Sequence, residues 1–176
     1  WSSAFNHRIK KHRSKKYETH KVNDNLEIRL IPSYGYKKNI SLARLLDHFQ
    51  MAWNLKTLLK KEKILPDVAF IGYPPIETAF VMSGWLKKRK VPILLDIKDL
   101  WPSIFINVLP KKIKLIAKMF FYPYFYLSKK TIRKADGLSA MSKSFLKWAY
   151  NYANRSLSKN DIVVRLSSRI QTSENQ

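Results

Sequence analysis

The segment Leu95-Asp96-Ile97-Lys98-Asp99-Leu100-Trp101-Pro102 holds the residues of this chain best placed for chemistry. Two carboxylates stand three positions apart with a lysine between them, at the end of an apolar run that reads as a buried strand. At the mouth of a ligand crevice, Lys98 can offset phosphate charge and Asp99 can orient a hydroxyl. The competing reading is structural: Asp96 and Asp99 cap the following turn while Trp101 fills core. The residues alone leave both open.

A second segment stands out by charge. Between Asp99 and Asp136 there is no carboxylate, yet Lys111, Lys112, Lys114, Lys118, Lys129, Lys130, Arg133 and Lys134 flank a run of aliphatic and aromatic residues. Basic residues beside exposed aromatics form an interfacial anchor for anionic lipid. Lys111, Lys112, Lys118, Phe120, Phe121, Tyr124, Lys129 and Lys130 are therefore expected to face a membrane. The alternative is a core helix with a solvated lysine face.

The elements that must position these segments follow from hydrophobic periodicity. Leu26–Ile31 alternates as a short strand ending at Pro32, after a basic stretch at 7–21 that reads as a solvated loop or frayed arm. Ser41 suits an N-cap for a helix to about Lys63, with apolar positions Leu42, Leu45, Leu46, Phe49, Ala52, Trp53, Leu58 and Leu59. Val68–Ile71 reads as a buried strand, and Pro75 with Glu77 opens a helix to Lys88. Pro92–Ile97 is a strand, 111–134 a helical stretch broken or kinked at Pro123, and Asp136–Met141 a short apolar strand. Ser142 caps a helix over 143–154, and Asp161–Leu166 is the last strand. Such alternation implies an α/β fold, a Rossmann-like parallel sheet with helices on both faces. Ligands of such sheets bind beyond the strands' carboxyl ends, which points to the loops 32–40, 72–75, 98–102 and 141–142.

Composition narrows the classes further. The 176 residues include 45% hydrophobic residues, no cysteine, and 34 Lys+Arg against 12 Asp+Glu, a net charge of +22. Without thiols there is no disulfide framework, Cys-based zinc site or cysteine nucleophile, and a reducing, cytoplasmic setting fits. The charge draws the protein to polyanions: nucleic acid, an anionic membrane face or phosphorylated substrates. No apolar run reaches the roughly 18 residues of a spanning helix. The chain begins with Trp1 rather than Met, which suggests lost upstream residues.

The string LLDIKDLWP resembles the "DxRDLWP" segment of family 4 glycosyltransferases, retaining sugar-nucleotide enzymes of GT-B architecture that build bacterial surface polysaccharides. Other pieces agree in order. Trp1–His7 with Lys10, Lys11 and Arg13 resembles the "S-x-F-x-H…KK-x-R" loop of a lipopolysaccharide and capsule subgroup. Ile31–Tyr36 with Lys38-Asn39 and Ser41–Arg44 is similar to that subgroup's loop after a strand, Pro66-Asp67-Val68 and Tyr73-Pro74-Pro75 to its "PDvi…yPP", and Ala135–Ser142 to its "AD…avS" step.

The resemblance implies that residues 1–166 are the N-terminal, acceptor-side half of a GT-B enzyme, with its first strand missing upstream. Residues 167–176 form a polar tail, and the nucleotide-sugar half with its Glu-x7-Glu motif has no counterpart. The implied activity is transfer of a sugar from a nucleotide-sugar to a lipid-linked saccharide acceptor, on the cytoplasmic face of the plasma membrane. No metal or other cofactor is implied, and a separate donor-domain chain becomes a possible partner. Asp99 matches the family's Asp, while Lys98 stands where the family often has a functional His. Both are carried over as catalytic candidates, with Ser3, His7 and Tyr73 as the loop residues approaching donor phosphates and acceptor. The rival classes are a basic nucleic-acid-binding module and a noncatalytic fragment.

Overall fold

A computed structural model describes residues 16–37, 41–107 and 109–165. They fall into two compact units, one holding the residues up to Ala69 with Pro75–Pro92, the other Phe70–Pro74 with Ile93 onward.

In the first unit, β1 (Glu18–Asn23) and β2 (Leu26–Leu30) form an antiparallel hairpin, a two-stranded sheet of its own. This corrects two expectations: 18–21 belong to a strand rather than an arm, and the strand at 26–31 does not join the parallel sheet. The reason is local. Asn23 accepts the Asn25 amide at 2.9 Å to make the turn, and the Lys21 ammonium donates to Asp24 in that turn at 2.8 Å, so a lysine of the basic stretch is partnered within the hairpin. The rest of the basic stretch, 7–15, lies outside the described residues.

Helix α1 (Leu42–Lys61) starts where expected, with the Ser41 hydroxyl accepting the Arg44 amide at 3.2 Å. Its buried face differs from the expected one. Asp47, His48, Ala52, Leu55 and Leu59 point inward, while Leu42, Leu46, Phe49 and Trp53 are exposed. Two polar residues occupy the inner stripe because they have polar partners there. Leu55 and Leu59 pack with Ile31 and with Val81, Met82 and Trp85 of α2 (Ile76–Lys88), and the Trp85 indole N–H donates to the Leu59 carbonyl at 2.8 Å.

The second unit carries a four-stranded sheet in the order β3 (Ala69–Tyr73), β4 (Ile93–Ile97), β5 (Gly137–Ala140) and β6 (Ile162–Val163). It is a parallel sheet flanked by helices, an α/β, Rossmann-like arrangement. The register sets Leu94 beside Gly137 and Asp96 beside Ser139. Ile93, Leu95, Ile97, Leu138 and Ala140 fill the core as near-continuous apolar strands do when both faces are covered. Helix α3 (Ser103–Asn107) was not legible in the sequence. The long basic stretch is two helices, α4 (Lys111–Phe120) and α5 (Tyr122–Lys134), joined at Phe121, with Pro123 in the first turn of α5 where no amide is required. Ser142 caps α6 (Lys143–Ala153), accepting the Phe145 amide at 3.4 Å.

Candidate functional site

The end of β4 brings together part of what its sequence promised. Asp96 is held from the neighbouring strand: the Ser139 hydroxyl donates to its Oδ1 at 2.6 Å. Lys98 follows one residue beyond the strand, its amide donating to the Tyr73 carbonyl at 2.9 Å. Its ammonium lies 3.6 Å from Asp96 Oδ2, and its side chain is 62% exposed. That ammonium reaches over Gly72 of β3, where an added Cβ would meet Lys98 Nζ at 3.7 Å. A cation is thus presented to solvent at the carboxyl end of the sheet, with a carboxylate and a hydroxyl behind it.

Asp99 points elsewhere. Its Oδ1 accepts the Leu100 amide at 2.9 Å and its Oδ2 accepts the Trp101 indole N–H at 3.1 Å. Both oxygens serve the loop, and Trp101 is buried against Phe105, ring centroids 4.6 Å apart. The structural reading of Asp99 accounts for every contact found there. Lys98 therefore pairs with Asp96, and the two catalytic candidates do not converge.

Tyr73 is corrected as a ligand contact. Its side chain is fully buried, its hydroxyl donating to the Trp101 carbonyl at 2.6 Å and meeting the Ser128 hydroxyl at 2.5 Å. It ties the loop after β3 to the loop after β4, a positioning role. Ser3 and His7 lie outside the described residues, as do 38–40 of the loop after β2 and 166–176.

The loop after β2 is pinned to α1. The Gly35 amide donates to Asp47 at 2.6 Å and the Tyr34 amide to Gln50 at 2.6 Å, with Gly35 at φ 79°, a left-handed conformation that suits glycine. The Tyr36 ring meets His48 edge-on at 6.3 Å, and His48 Nδ1 lies 3.6 Å from the Glu77 carboxylate, both side chains buried. Sequence reasoning singled out neither Asp47 nor His48. The available signal was spacing: His48, Ala52, Leu55 and Leu59 keep a three-to-four repeat, so a histidine sits on the inner stripe. A hollow of about 360 Å³ beside the hairpin, lined by Tyr17, Glu18, Arg29 and Leu58 among others, contains none of the candidate residues.

The membrane-facing candidates divide. Lys111, Lys112, Lys118 and Phe120 are exposed on α4, and Lys129 and Lys130 on α5. Phe121 is half-buried, stacked on Phe105 with centroids 6.0 Å apart, and Tyr124 is only 8% exposed, so these two rings face inward. Phe120, the residue before the joint between the helices, stays exposed while its ring meets Phe121 edge-on at 5.4 Å.

Among the described residues no cluster of three or more His, Cys, Asp or Glu has the arrangement to hold a metal ion, and no helix is long and apolar enough to cross a membrane. No protein-family model matches this chain, and no curated protein matches it.

Proposed function

We propose that this chain is the acceptor-binding half of a retaining glycosyltransferase, moving a sugar from a nucleotide-sugar to a lipid-linked saccharide in lipopolysaccharide or capsule synthesis. It would work at the cytoplasmic face of the plasma membrane with a nucleotide-sugar-binding domain, on the same or a separate chain. The observation that carries the reading is the exposed Lys98 ammonium at the carboxyl end of a parallel sheet, where ligands of such folds bind. The ordered motif strings of the sequence support the same reading.

Each residue has a role in this chemistry. Lys98 attracts the phosphates of a lipid-linked acceptor, and Asp96, fixed by Ser139, holds the lysine stem over Gly72. Asp99 shapes the loop by orienting Trp101, and Tyr73 locks that loop to its neighbour. A cation placed in advance holds the acceptor's phosphates, and with them the acceptor saccharide, in position for transfer. Supplying radiolabelled nucleotide-sugars and lipid-linked saccharide in vesicles, to the chain alone and mixed with a donor domain, tests the reading. Label entering the lipid fraction, and lost with Lys98→Ala, supports it; no label in any combination refutes it.

A further inference from the structure

Helix α4 is held at its ends and bare along its length. None of its ten residues is buried. Its last turn is fixed by Phe121, whose ring packs on Phe105 and, at 6.2 Å, on Tyr124. Near its start the Lys114 ammonium donates to the Asn107 carbonyl at 3.3 Å. Lys114 and Ala117, half-buried, mark the side turned toward the body of this unit. The opposite side carries Leu115 (71% exposed), Ile116, Met119 (73%) and Phe120 (71%), four adjacent large apolar side chains in solvent. Tyr122, also exposed, extends the patch at the start of α5.

A ten-residue helix draws its stability from packing an apolar face rather than from propensity. The face with the largest side chains here stays in solvent, the Phe120 ring alone meeting Phe121 edge-on at 5.4 Å among the described residues. What belongs against it is set by charge: Lys112 lies within the apolar face and Lys111 and Lys118 at its margins. No carboxylate occurs from Leu100 to Ala135. An apolar face bordered only by cations suits a surface that is apolar beneath and anionic on top.

We infer that α4 is an interfacial helix that lies flat on an anionic lipid bilayer, with Leu115, Ile116, Met119 and Phe120 sunk about 5–10 Å into the headgroup and acyl boundary. Lys111, Lys112 and Lys118 meet the phosphates, their stems covering apolar surface while the ammonium groups stay in the headgroup layer. This names the surface and its orientation for the membrane location proposed above. It does not depend on transfer chemistry, because a chain that binds vesicles and transfers no sugar would sink the glycosyltransferase reading and leave this one standing.

The absence of cysteine makes the test clean. Ile116→Cys, Met119→Cys and, as a control on α6, Lys143→Cys each accept one environment-sensitive fluorophore. The full chain is then mixed with vesicles of phosphatidylcholine, with or without phosphatidylglycerol, at physiological ionic strength. The labels at 116 and 119 should shift to the blue with the anionic vesicles, and the label at 143 should not. In flotation, Met119→Ser with Phe120→Ser should cut partitioning at least tenfold at unchanged net charge. Both side chains are exposed, so an unchanged melting temperature confirms that the fold is intact. Replacing Lys111 and Lys112 by Gln should cost roughly fivefold per lysine. Equal flotation of the double serine variant would mean that charge alone attracts the protein, and overturns the proposal. A blue shift at 116 without vesicles that grows with protein concentration assigns the face to a second copy and overturns it too.

Discussion

Arg155 grips Asp161 in a two-pronged ion pair, Nη1 to Oδ2 at 2.8 Å and Nη2 to Oδ1 at 3.1 Å, with the carboxylate wholly buried. Each oxygen also accepts a main-chain amide at 2.7 Å, Oδ2 from Ser158 and Oδ1 from Leu138, so one side chain joins the loop before β6 to β5. Burial works against the charge, but the guanidinium and the two amides outweigh it and hold the carboxyl below its ordinary value of 3.8. Stability from this pair is therefore complete above the unfolded value and lost as pH falls through the lower, folded one. Asp161→Ala should cost about 3 kcal/mol near neutral pH by stranding Arg155, and denaturant unfolding at a series of pH values should show the gap narrowing below about pH 4.

Gly137 has no room for a side chain. A methyl there would stand 2.6 Å from the Asn160 carbonyl oxygen and 3.1 Å from Leu94 Cδ1. Because the nearest atom is backbone, relief requires β5 and the turn before β6 to separate. Gly137→Ala should destabilise by about 1–3 kcal/mol, read as a lower midpoint in denaturant unfolding.

Tyr152 gives the alkaline limb a cause. Burial raises its pKa from 10.0 to about 12, with the Ser128 hydroxyl pulling the other way, and its own hydroxyl donates to the Phe125 carbonyl at 3.1 Å. A raised phenol contributes stability that is whole below the unfolded value and disappears as pH climbs through the folded one. Stability should therefore fall between pH 10 and about pH 12. Tyr152→Phe should flatten that decline, measured as melting temperature against pH.

Lys98 separates function from stability. Its contact with Asp96 is mostly solvated and contributes under about 1 kcal/mol, so Lys98→Ala should melt with the parent protein. If the ammonium meets phosphate, the same substitution should lower sugar transfer about 10–100-fold, and Lys98→Arg should restore part of it. Tyr73→Phe should behave in the opposite way, costing about 1–2 kcal/mol of stability through its lost buried hydroxyl contacts.

The sequence exposed whatever depends on neighbours along the chain. Ser41 and Ser142 cap their helices, and the runs around Phe70, Leu95 and Leu138 are strands, because capping and apolar continuity are local properties. Lys98 at the end of β4 follows from the same continuity. The Asp96–Ser139 bond was invisible because 43 residues separate its partners, and only the register of β4 on β5 brings them together. Tyr73 looked like a ligand contact for a similar reason. Its burial comes from Trp101 and Ser128, 28 and 55 positions away. The inner face of α1 differs from the apolar set of its sequence because the Gly35 amide and the Glu77 carboxylate give Asp47 and His48 polar partners inside.

The order of strands in the sheet, β3, β4, β5 and β6, follows the order of the chain without a reversal. Each crossover advances the sheet by one strand in the same direction, so the described sheet grows outward from β3. In folds of this class the ligand crevice opens where that march changes direction. A strand laid along the outer edge of β3 would create that turning point beside Gly72 and beneath the Lys98 ammonium. The cation and the glycine beneath it thus stand next to the edge of the sheet that is unpaired among the described residues.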